Sequence, residues 1–78
     1  MSKLPQVSGK DTIRALKKIG FSMVSQKGSH VKMARRTSNQ NQTIIIPMHK
    51  ILKKGTLRNG ILKPINLTVD QFAQLLRK

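Results

Sequence analysis

The pattern between residues 21 and 47 narrows the folds open to this chain. In "HVKMARR", Val31 and Met33 fall on one side of an extended backbone, and His30 and Lys32 fall on the other, because successive strand side chains alternate. "FSMVSQ" before it and "TIIIP" after it are further strand candidates, and Pro47 ends the last. Only "KGS" separates the first two, so they are joined by a tight connection. Polar "TSNQNQ", residues 37–42, is turn material between the second and third. Three strands connected this way form an antiparallel meander.

Helical spacing flanks the meander. Ser8 caps a helix running to about Lys18, with Asp11 in its N-terminal turn. Ile13, Leu16 and Ile19 recur on one face beside Ala15, and Gly20 supplies the stop. Beyond the strands, Thr56 is expected to cap a short helix carrying Leu57, Ile61 and Leu62, ended by Pro64. Thr68 and Gln71 then form a capping-box pair, with Leu67 and Phe72 placed as a hydrophobic staple. Leu75 and Leu76 continue that apolar face. The expected class is α+β, in the order αβββα with an extra C-terminal helix. A three-stranded antiparallel sheet carries helices on one face, and the open face carries His30. At 78 residues the chain supports one small core, so residues 1–78 form a single domain.

Charge then limits the partners. Sixteen Lys and Arg face two acidic residues, a formal charge of +14. Such a domain seeks a polyanion: nucleic acid first, an acidic protein second, an anionic membrane third. With Phe21 and Phe72 as its only rings, it should grip phosphates and shape rather than stack bases. The chain has no cysteine, and two histidines with two carboxylates make a poor metal cage, so neither a metal nor another cofactor is expected. No apolar run approaches the ~20 residues that span a bilayer. "MSKLPQVSGK" lacks the apolar stretch of a secretion signal, so a cytoplasmic location is expected.

His30 is the residue to explain. The Gly28-Ser29 pair before it lets backbone pass close to a ligand. Lys27 and Lys32, together with Arg36, can gather around it. The plain reading is an exposed histidine in a basic patch, part of a module that grips RNA without cutting it. The sharper reading is RNA cleavage without metal. The 2′-OH is an internal nucleophile, so a site must take its proton and stabilise phosphoryl charge. A neutral imidazole can take that proton near neutral pH. His49 follows Pro47 and is a candidate second acid–base group, or else an ordinary turn residue.

At "GSHVK" the chain resembles the HicA family, small mRNA-cleaving toxins of bacterial toxin–antitoxin pairs. "LPQVSGKDTIRALKKIGF" resembles the family's opening helix with its Gly-Phe exit, and "QKGSHVKM" its active-site strand. "TIIIPMHKILKKGTLRNGIL" resembles its third strand, Pro-x-His turn and Gly-Thr-Leu helix start, and "LTVDQFAQLL" its last helix. The chain departs in having Met33 where the family often has an aromatic ring, a longer stretch "RRTSNQNQ", and "KPIN" for a Gly-containing exit.

The resemblance implies a dsRBD-like fold (that of the double-stranded-RNA-binding domain) and an mRNA interferase with His30 as its catalytic residue. Lys27, Gly28, Ser29, Lys32 and Arg36 would contact the RNA. It also implies a HicB-type antitoxin that covers the active site. The family's strand pattern turns Ile44 and Ile46 to the core, so Ile45 joins His30 and Lys32 on the face the antitoxin would touch. No membrane partner and no DNA binding by the chain itself are expected.

Overall fold

A computed structural model describes residues 4–77. Its elements run α1 (Gly9–Lys17), β1 (Ser22–Lys27), β2 (His30–Arg36), β3 (Asn41–Pro47), a π-helical segment over 56–62, a 3₁₀ turn over 63–65, and α2 (Val69–Leu76). The strands form one antiparallel sheet in the order β1-β2-β3. The molecule is α+β with the dsRBD-like arrangement.

Side-chain alternation organises the packing. Val31, Met33 and Ile46 are fully buried and Ile44 nearly so. They meet Ile13, Leu16, Leu57, Ile61 and Phe72 in one core. Each such side chain contributes about 1.5–3 kcal/mol through burial. Met33 lies inside this core, so the departure from an aromatic ring there is a change of packing. Ile45 is 48% exposed, on the far side with His30 and Lys32, as the strand parity requires.

Local chemistry fixes the helix ends. Ser8 Oγ accepts from the Asp11 N–H at 2.9 Å and starts α1. At its end the Gly20 N–H reaches Lys17 O, and the Phe21 N–H reaches Leu16 O. This paired closure turns the chain sharply into β1 while Leu16 and Phe21 stay buried. In α2 both capping-box bonds form, Gln71 N–H to Thr68 Oγ1 and Thr68 N–H to Gln71 Oε1. Lys18 then donates to Leu75 O and Arg77 O, placing a cation at the carboxyl end of α2.

Three boundaries differ from expectation. Thr56 does not cap the middle helix, because Leu57 N–H already bonds Lys53 O and the turn begins upstream. Pro64 does not end it either. Proline lacks an N–H but is tolerated in a first turn, and here it opens the 3₁₀ turn over 63–65. Asn66, at φ 56°, makes the exit instead, with Leu67 N–H bonded to Leu62 O. Asparagine tolerates the left-handed region well enough to replace glycine there. The polar stretch 37–42 is also shorter as a turn than its composition suggests. Thr37 N–H bonds Gln40 O, and β3 starts at Asn41. Gln42 is buried because its Oε1 accepts from Arg35, whose guanidinium lies 4.8 Å from the Phe21 ring centre.

The helices cover β2 and β3 and leave β1 largely bare: all six of its residues are exposed. β1 is also irregular. Its pairing with β2 shifts between Met23 and Ser25, so Val24 is an extra residue. The bulge puts Met23, paired with Met33, on the helix side of the sheet. Ser25 and Lys27 meanwhile face the open side, opposite Lys32 and His30.

Candidate active site

The site is built from the β1–β2 hairpin. Lys27 pairs with His30, which leaves Gly28 and Ser29 as a two-residue turn. Gly28 has φ +59°, while Ser29 stays at negative φ. A glycine first in such a turn matches the right-handed twist of its strands. The turn is held from both sides. Gln26 Nε2 donates to Gly28 O at 3.1 Å, and Met48 N–H donates to Ser29 O at 2.6 Å. His30 therefore begins its strand at a pinned position, opposite Pro47.

Around it the open face forms a hollow of about 490 Å³, lined by Ser25, Lys27, His30, Lys32 and Ile45. Each pairs across the sheet with another lining residue or stands next to one: Lys27 with His30, Ser25 with Lys32, Lys32 with Ile45. The result is one imidazole and two ammonium groups on an exposed platform with an apolar patch at Ile45. Among the described residues no carboxylate lines it. Such a set can accept a proton and neutralise an anion in the same place.

The predicted residues divide accordingly. Lys27, His30 and Lys32 come together, with Gly28 and Ser29 forming the adjoining turn. Arg36 does not join them. It shares the open face, but it stands six positions along the strand from His30, about 20 Å at the usual rise. His49 lies in a separate hollow with Ser8, Lys10, Met48 and Lys50, and its carbonyl accepts from the Gly9 N–H at 2.9 Å. That exit is packed tightly, since a Cβ on Gly9 would come within 2.1 Å of Pro47 O. Ser25 is the member of the site that the sequence pattern did not single out. Counting back from the two-residue turn would have set it opposite Lys32. Among the described residues no group of three metal-ligating side chains gathers, and no helix is long and apolar enough to cross a membrane.

Fold and hollow define a class: a small dsRBD-like domain with a histidine and two lysines on its open sheet face. Residues 9–67 match the family model described as the HicA toxin of bacterial toxin–antitoxin systems, and the chain belongs to that family. It is thus the toxin component of a pair and has an antitoxin partner. No curated protein sequence matches the chain significantly.

Proposed function

We propose that the protein is an endoribonuclease that cuts mRNA without a metal, using His30 as general base. One observation carries the reading: an exposed imidazole stands in a hollow with two lysines and, among the described residues, no carboxylate. In this scheme His30 takes the proton of a 2′-OH, and the 2′-oxygen attacks the adjacent phosphorus. The bond to the 5′-oxygen breaks, and that oxygen takes up a proton. Lys27 and Lys32 stabilise the charge on the phosphoryl oxygens. Gly28 and Ser29 let the backbone approach the RNA closely. The nucleophile belongs to the substrate, so neither an activated water nor a metal is required, and DNA is no substrate.

The cytoplasm, where mRNA is found, is the corresponding location. A HicB-type antitoxin would cover this face, with Ile45 as an apolar contact beside His30 and Lys32. Complementary charge on the partner would speed association and add specificity.

The test is cleavage of a long RNA in EDTA, with product ends identified. The expected products carry a 2′,3′-cyclic phosphate or the 3′-phosphate formed from it. RNA with a 2′-deoxy or 2′-methoxy group at the scissile position should resist. Full activity on that substrate would rule the mechanism out.

A further inference from the structure

A second hollow opens on the helix side of the sheet, away from His30. β1 is exposed along its length, and residues of α1 and β1 line one cleft of about 520 Å³ on this side. The exposed apolar surface of its floor comes from Met23 of β1, 46% exposed, and from Met48, with the buried side chains of Ile13 and Val31 beneath them. Its rim is cationic. Lys10, Arg14 and Lys17 are four and three residues apart, so they share one flank of α1. One carboxylate, Asp11, sits among them and pairs with Arg14 at 3.2 Å. The cleft shares no residue with the His30 hollow, and the free edge of β1 lies between the two.

The two parts of this cleft ask for different things. Phosphates would use the cations but gain nothing from the apolar floor. A purely apolar segment would fill the floor and leave the cations idle. A second copy of the chain would bring +14 against +14. An acidic protein segment bearing an apolar side chain satisfies both parts, and methionine is well suited to moulding around such a side chain. We infer that the antitoxin passes round the β1 edge and anchors an acidic, apolar-tipped segment in this cleft. Its apolar side chain rests on Met23, and its carboxylates face Lys10, Arg14 and Lys17. The inference builds on the reading that the antitoxin covers the His30 face, and adds a grip on the opposite side of the sheet.

The test is equilibrium binding between the purified antitoxin that neutralises this toxin and the full chain disarmed by His30→Ala. Three variants are compared: Met23→Gln, Arg14→Gln combined with Lys17→Gln, and Ile45→Asp on the open face. Affinity for a short RNA duplex is measured beside each. The first two variants should each weaken the antitoxin complex about tenfold, as loss of an anchor does. Their RNA affinity should change by less than about threefold, with unaltered thermal melting. If Ile45→Asp weakens the complex and the cleft variants do not, the second anchor is refuted while the masking reading stands. If none of the three weakens it, both fail. If the cleft variants lose more RNA affinity than antitoxin affinity, the cleft is a nucleic-acid surface and the inference is wrong.

Discussion

Along β2, adjacent residues live under opposite conditions. Val31 and Met33 are 0% exposed, whereas His30 and Lys32 face solvent. Backbone, register and twist are common to all four, so the difference comes from what covers each side of the sheet. On one side the helices supply Leu16, Leu57, Ile61 and Phe72. On the other, the described residues leave a platform of small, polar and cationic groups around Ile45. A small domain with few residues to spare has put its stability on one face and left the other uncovered among the described residues. Substitutions on the two faces should therefore fail in different ways.

The largest effect is expected at His30. His30→Ala should lower RNA cleavage by about 10²–10⁴, the usual contribution of a general base. Its folding free energy should change by less than about 0.5 kcal/mol, as at other exposed positions. Cleavage within a few-fold of the parent would make the platform a binding surface. Met33→Ala is the counterpart on the buried face. It should cost about 2–5 kcal/mol in urea unfolding, since it leaves a cavity among packed side chains. A loss below about 1 kcal/mol would show that the buried face does not dominate stability.

Two smaller effects sharpen the contrast. A Cβ on Gly28 would meet nothing within 4 Å, so Gly28→Ala should be limited by its φ of +59° alone. That strain is about 1–2 kcal/mol, read as a lower melting temperature and a slower cleavage rate as His30 shifts. Ile45→Asp should leave the domain folded and weaken the antitoxin complex about tenfold. Unfolding of this variant would mean that the two faces are assigned the wrong way round.

Much of the site is legible in the chain's local patterns. "KGSH" contains its own geometry: a glycine first in a two-residue turn fixes the pairing of Lys27 with His30, and alternation then fixes the facing of Lys32. Arg36 shows where that logic stops. Alternation gives the face of a residue and says nothing of distance along the strand, so Arg36 shares the face of His30 but stands outside its hollow. His49 is placed by a contact between distant segments. It is close to His30 in register, past its partner Pro47. Its loop is drawn instead to the first turn of α1 by the Gly9–His49 bond.

The sequence alone determined what local rules control: the capped starts of α1 and α2, the three strands, their tight first connection, and the alternation that sets Ile44 and Ile46 on one face and Ile45 on the other. These follow from hydrogen bonds and periodicities that span a few residues. Only the tertiary structure decided the rest. The bulge at Val24 depends on how β1 is paired with β2, and it moves Met23 to the helix side of the sheet. Helical backbone continues from the π-helical segment through a 3₁₀ turn to Ile65, past Pro64, because Leu57, Ile61, Leu62 and Ile65 all have core to reach. The cleft beside α1 exists because the helices pack over β2 and β3 and stop short of β1. Each of these outcomes was chosen by packing between segments distant in the chain, which no short stretch of sequence encodes.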